Sequence, residues 1–224
     1  MDNIKFRKIY YIVITILILL FFLKDCSFIN RGYVDIKIVT NPDDKLVLVN
    51  KQNRLLASYV PNDLVTLNIK FANANKQLRK DAAIAFELLS SDALLLGFRI
   101  VAVSAFRDYD YQKRLYNNYV EENGKKYADN CSARPGHSEH QTGLALDVEG
   151  SNHDYNKFEE ANEFNWMKNN AHKYGFVLRY PKGKEKITGF KFEPWHYRYV
   201  GKDIATYIFE NNLTLEEYLE KNKD

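Results

Sequence analysis

Residues 138–148 read Ser-Glu-His-Gln-Thr-Gly-Leu-Ala-Leu-Asp-Val, and this stretch decides the fold. Gly143 punctuates a turn, and residues 144–148 behind it alternate as a short strand, which puts Ala145 and Asp147 on one face. His140 and Asp147 therefore flank a tight bend in which Gly143 and the small Ala145 let backbone and ligand approach closely. A second piece, Phe192-Glu193-Pro194-Trp195-His196-Tyr197, carries another imidazole with a carboxylate three residues before it. Residues three apart on a strand point to opposite faces, so both reach one site only if the chain bends between them, and Pro194 is a cause for such a bend. The two pieces then offer His140, Asp147 and His196 as ligands, with Glu193 beside an open position. A catalytic zinc site needs that set: three protein ligands, room for water, and a base next to the water. Taken singly, each residue has a plainer explanation: a solvated loop His, a capping Asp, a strand His among Trp195, Tyr197 and Tyr199.

The rest of the composition narrows the class. Lys and Arg number 32 against 29 Asp and Glu, a balance too even and too dispersed for a nucleic-acid binder. Cys26 and Cys131 are the two cysteines and form no C-x-x-C pair, which excludes a cysteine zinc site. A disulfide joining Cys26, behind the apolar run, to mid-domain Cys131 is not expected. The 16 Tyr and 14 Phe supply core, strands and the wall of any groove.

Along the chain, residues 9–23 form an apolar run behind Lys5, Arg7 and Lys8. A basic flank followed by an apolar core predicts a membrane-targeting segment. Lys24-Asp25-Cys26-Ser27 offers no small-x-small cleavage site, so the expectation is an uncleaved single-pass anchor, with secretion after cleavage as the alternative. That divides the chain into 1–30, basic flank and anchor, and 31–224, one extracytoplasmic domain. Residues 34–60 read as an antiparallel arm with turns at 41–44 and 50–53. Leu78, Ala82, Ala85, Phe86 and Leu89 predict a helix over 75–96, ended by Gly97. A strand follows at 99–104, then Asp108 as N-cap of a helix carrying Tyr111, Leu115 and Tyr119. Arg107 sits at this strand-to-helix junction, a usual place for a residue that faces substrate. Residues 121–132 read as a polar loop. Beyond the motif come a helix at 162–174 closed by Gly175, a strand at 176–178, a turn at 181–184, an extended piece at 189–200, and a helix at 202–210. A capping box at Thr214-Leu215-Glu216-Glu217 opens the last helix. No repeat or linker interrupts this body, so it is one α+β domain.

At this level the paired motifs resemble the VanY-like D-alanyl-D-alanine carboxypeptidases of bacterial cell walls. The resemblance spans residues 47–201 and includes Tyr59-Val60-Pro61-Asn62-Asp63-Leu64-Val65, Ser104-Ala105-Phe106-Arg107-Asp108-Tyr109 with Gln112, and Tyr174-Gly175-Phe176-Val177-Leu178-Arg179-Tyr180-Pro181. It implies a compact domain in which a small antiparallel sheet carries the ligands and helices pack around it. It implies one zinc ion on His140, Asp147 and His196, Glu193 as catalytic acid/base, and Arg107 near the scissile carbonyl. Ser138, Arg134 and Gln112 match positions that help hold the peptide. The implied substrate is a peptidoglycan stem peptide ending in D-Ala-D-Ala; an L,D-carboxypeptidase acting on tetrapeptide stems and a non-catalytic wall-binding module are the rival readings. Two departures bear on recognition. Phe106 stands where the family usually has Tyr, and Asp108 puts a negative charge beside Arg107.

Overall fold

The computed structural model describes residues 32–223. The apolar run at 9–23 and Cys26 lie outside the described residues, and among those described no helix is long and apolar enough to cross a membrane. The elements in order are β1 (Lys37–Ile38), β2 (Asn53–Arg54), β3 (Leu64–Thr66), β4 (Gln77–Arg79), α1 (Lys80–Leu95), β5 (Val101–Ser104), α2 (Tyr109–Asn123), α3 (Lys125–Cys131), β6 (Ala145–Glu149), α4 (Asn162–Asn170), β7 (Phe176–Leu178), α5 (Glu185–Thr188), β8 (His196–Tyr199), α6 (Lys202–Glu210) and α7 (Leu215–Lys221).

The centre is an antiparallel four-stranded sheet in the order β5-β6-β8-β7. Its two faces have different chemistry because strand side chains alternate. Leu146, Val148 and Tyr197 point to the core, where α1 presents Ala82, Phe86, Leu89 and Ala93 at helical spacing, all buried. Phe86 meets Phe176 of β7 edge-on, ring centroids 6.2 Å apart. Burying a side chain such as Phe86 or Leu89 contributes about 1.5–3 kcal/mol, so this seam fixes the sheet on α1. The opposite face carries Ala145, Asp147, His196 and Arg198, and it is the face that builds the site. A second apolar cluster of Val177, Val200, Ala205, Ile208 and Leu215 holds α6 and α7.

Several expectations hold in detail. Asp108 accepts the Tyr111 amide at 2.6 Å and caps α2. Gly175 ends the segment after α4 at φ +88°, the left-handed conformation glycine permits without strain. Thr214 and Glu217 form the capping box of α7.

Others are corrected. The antiparallel arm over 34–60 does not form: β1 and β2 are two residues each and pair in parallel. Residues between them cannot join a ladder, because the carbonyls of Lys45 and Val47 accept from the Arg198 guanidinium at 2.9 Å each. Val47 and Val49 instead plug into the core as irregular chain. The helix expected from 75 starts at Lys80, since Gln77–Arg79 pairs with Leu64–Thr66. The expected polar loop at 121–132 is helical: α2 runs on to Asn123, and α3 follows after Gly124. The extended piece at 189–200 is a strand only from His196, and α5 precedes it.

Candidate active site

The β6–β8 register sets Asp147 directly opposite His196, so a carboxylate and an imidazole share one rung on the polar face. His140 arrives from a short 3-10 turn, Glu139–Thr142, whose N-cap Ser138 accepts the His140 amide at 3.3 Å. The turn ends at Gly143 with φ +66°. A Cβ there would meet Leu64 Cδ2 at 2.9 Å, so glycine is required by both conformation and space. Pro194 bends the chain as the sequence suggested. The His196 amide donates to the Glu193 carbonyl at 3.2 Å, closing a turn that folds Glu193 back to the site, its Oε2 3.8 Å from His196 Nδ1.

The ligand atoms of His140, Asp147 and His196 lie within 4.8 Å of one another, and all three residues are buried. His140 Nδ1 donates to the Ala105 carbonyl at 2.6 Å. A carbonyl only accepts, so this bond fixes the tautomer and leaves Nε2 with a free lone pair. That Nε2 is buried without a hydrogen-bond partner among the described residues, 3.3 Å from Asp147 Oδ2. His196 Nδ1 faces Asp147 Oδ1 at 2.9 Å. Two ring nitrogens and a carboxylate converging on one point, one of them orphaned, is a donor set that fits zinc.

The electrostatics are polarised. His140 is pushed down to about 4 by burial and by the Arg107 charge, against the pull of Asp147. For His196 burial again opposes the charge, but the hydrogen bond to Asp147 and the nearby Glu139 and Glu193 carboxylates outweigh it and raise it to about 9. Burial also opposes ionisation of Asp147, yet the two imidazoles hold it well below the usual carboxylate range. Glu193 goes the other way: burial, with Asp147 nearby, raises it to about 7 despite His196 and Arg107. A carboxyl group poised near neutrality beside the His140–Asp147–His196 cluster is suited to accepting and returning a proton.

These residues open onto a cavity of ≈ 710 Å³ whose wall includes Arg107, Gln112, Ser138, Tyr111, Tyr119, Tyr155 and Trp195. The structure brings Arg107 into it, with Nε buried and unpartnered among the described residues. Asp108 caps α2 and forms no ion pair with Arg107 among the described residues. Gln112 is buried and donates to Ala133 O and Ser132 Oγ, leaving its Oε1 at the cavity wall without a partner among the described residues. Arg134 is not brought into the cavity. Its guanidinium pairs with Asp129 through two bonds of 2.8 Å and lies 4.0 Å from the Tyr33 ring centroid. Cys131 forms no disulfide among the described residues and stands on the cavity wall.

Sequence reasoning missed Glu139. It is fully buried, and its Oε1 accepts from both Arg179 Nε and Arg198 Nη1 at 2.8 Å. Arg179 reaches on to Glu216 of α7 through two further bonds of 2.8 and 2.7 Å. The available signal was an arginine in an apolar run: Arg179 follows Phe-Val-Leu, and Arg198 lies between Tyr197 and Tyr199. A charge at a core-strand position demands a buried partner.

Comparison with known proteins agrees with this geometry. The family model described as VanY, D-alanyl-D-alanine carboxypeptidase, matches residues 75–202. The putative carboxypeptidase YodJ of Bacillus subtilis is 43% identical over 195 residues, covering 84% of this chain and 71% of YodJ. The structure of the LD-carboxypeptidase LdcB superposes with a TM-score of 0.80 at 42% identity, covering 86% of this chain and 94% of LdcB. A variant of the D,D-pentapeptidase VanY from a VanB-type resistance cassette, solved in complex with Zn(II), superposes with a TM-score of 0.68 at 34% identity, covering 78% and 98%. The fold, the paired motifs and these relatives together make this chain a member of the VanY family of D-alanyl-D-alanine carboxypeptidases.

Proposed function

We propose that the chain is a zinc-dependent carboxypeptidase that releases the terminal D-alanine of peptidoglycan stem peptides ending in D-Ala-D-Ala. The observation that carries this reading is the convergence of His140, Asp147 and His196 beside Glu193, at the floor of a cavity large enough for a peptide end. His140 Nε2, Asp147 and His196 Nδ1 would hold the ion. When bound, zinc supplies Lewis acidity towards the scissile carbonyl and makes hydroxide available at neutral pH.

The chain's own groups do the rest. Glu193 accepts the proton of the attacking water and returns it to the departing amine of D-alanine, so one residue serves as base and then acid. Arg107, on the cavity wall, offers positive charge where the oxyanion develops. Ser138 and Gln112 line the same wall and would orient the peptide end. The apolar run at 9–23 supports an anchored catalytic domain that meets its polymer outside the membrane.

A second reading has its own support. The 42% identity to an LD-carboxypeptidase structure exceeds the 34% to the D,D-pentapeptidase. It favours a tetrapeptide stem, whose last bond joins the diamino acid to D-alanine. The test is to incubate the zinc-loaded full-length chain separately with pentapeptide and tetrapeptide stems, following alanine release by mass spectrometry with a chelator control. Chelator-sensitive loss of one alanine from the pentapeptide supports the first reading, and loss from the tetrapeptide alone supports the second. No loss from either, with zinc bound, overturns both and leaves a wall-binding module.

A further inference from the structure

The second nitrogen of His196 points away from the site, and what it meets is unusual. Among the described residues His196 Nε2 is buried and makes no hydrogen bond within 3.5 Å; Glu139 Oε2 stands 3.6 Å from it, also buried and unpartnered. Two orphaned polar atoms of opposite character facing each other inside a protein form a pair that a small adjustment closes. Glu139 is not free to turn elsewhere. Its other oxygen is pinned by Arg179 and Arg198, and Arg179 is pinned by Glu216. Two arginines and two glutamates balance in charge, with Arg179, Arg198 and Glu139 showing 0% side-chain exposure. The ring of Tyr180, centroid 4.9 Å from that of His196, closes another side.

We propose that Glu139 is a positioning residue: it holds the His196 ring through Nε2–H, so that Nδ1 is the nitrogen presented to the metal. The proposal rests on the zinc reading above. An ionised carboxylate only accepts, so a proton must sit on Nε2, and the metal-binding lone pair is then on Nδ1. His140 is held the opposite way round, through Nδ1 on the Ala105 carbonyl, so its Nε2 faces the site. The two ligand rings are thus set in opposite tautomers by two different acceptors. The buried arginines keep Glu139 ionised and in place, and through Glu216 they tie the ligand to the C-terminal helix.

The test compares Glu139→Gln with Glu216→Gln in the full-length chain. Glu216 belongs to the same network but does not approach His196, so its loss reports mere destabilisation. Zinc affinity is read by competition with a chromophoric chelator, without reference to turnover. The expected result is a ~10–100-fold loss of affinity for Glu139→Gln and an unchanged affinity for Glu216→Gln. Nitrogen-15 histidine spectra of the zinc-loaded wild type should show His196 protonated at Nε2 and metal-bound through Nδ1. If Glu139→Gln does not fold, that spectrum decides. Equal affinities in all three proteins, equal losses in both variants, or a metal-bound Nε2 would overturn the positioning role while leaving the zinc site intact. A folded wild type that binds no zinc would overturn the zinc reading and this inference with it.

Discussion

Replacing Glu193 by Gln separates two consequences of one buried carboxyl group. The substitution keeps the shape, removes the charge and abolishes the ability to accept a proton. The Glu193 side chain is 16% exposed and accepts no hydrogen bond from the described residues, so little else is disturbed. Burial raises this carboxyl from 4.5 to about 7 in the metal-free protein. At 1.36 kcal/mol per unit, that difference means the ionised group opposes folding by roughly 3 kcal/mol. The penalty is absent below pH 4.5, where folded and unfolded chains are both protonated, grows between 4.5 and about 7, and is complete above that. Metal-free Glu193→Gln should therefore melt ~6–12 °C higher than wild type at pH 8, and the advantage should vanish towards pH 4.5. Turnover should move the other way. Loss of a general base costs ~10²–10⁴ in kcat, about 3–5 kcal/mol of barrier, while zinc affinity holds. Differential scanning fluorimetry across pH and an alanine-release assay read the two effects independently. A variant keeping more than about a tenth of its activity with zinc bound would refute the base role. A metal-free variant no more stable than wild type at pH 8 would refute the burial argument.

Three other outcomes follow from the geometry. Zinc at about 100 times its Kd should stabilise the domain by about 2.7 kcal/mol, a Tm rise of ~5–10 °C that a chelator reverses and that His140→Ala abolishes. Tyr197→Phe removes a hydroxyl that is buried on the core face without a partner among the described residues, so denaturant unfolding should show a gain of ~1–2 kcal/mol with activity unchanged; a loss would mean the hydroxyl is satisfied. Gly143→Ala forces a left-handed residue against Leu64 and Arg79 at 2.9 and 3.0 Å, and should cost at least ~1–2 kcal/mol in the same assay.

What could be read from the sequence follows a physical divide. The capping residues Asp108 and Thr214, the Gly175 stop and the ligand-bearing strand are local signals, set by a few neighbouring residues, and they appear where expected. The bend at Pro194 could also be inferred, because two side chains three apart on a strand cannot otherwise share a site. The 34–60 arm could not be read. Its alternation is real, but the carbonyls that a ladder would need are taken by Arg198, about 150 residues away in sequence. Glu139 was hidden for the same reason: inside a motif it looks like a solvated turn residue, and only the tertiary meeting with Arg179 and Arg198 makes it a buried partner. Arg134 pairs with Asp129, a tertiary partner that its place in the motif did not announce.

The rung shared by Asp147 and His196 sets how this chain can change length. Strand side chains alternate, so inserting or deleting one residue within β6 or β8 would turn one ligand to the core face and dismantle the donor set at a stroke. The excursion between those strands, residues 150–195, is under no such constraint outside β7, the adjoining Arg179–Tyr180 pair and the turn before His196. It can lengthen, shorten or exchange its helices while the rung stays in step, down to the Glu193–His196 turn. Relatives should accordingly differ by gaps in that excursion and by substitutions alone within the two strands. New substrate preferences would then arise by remodelling loops such as the one bearing Tyr155, with the reaction centre carried through unaltered.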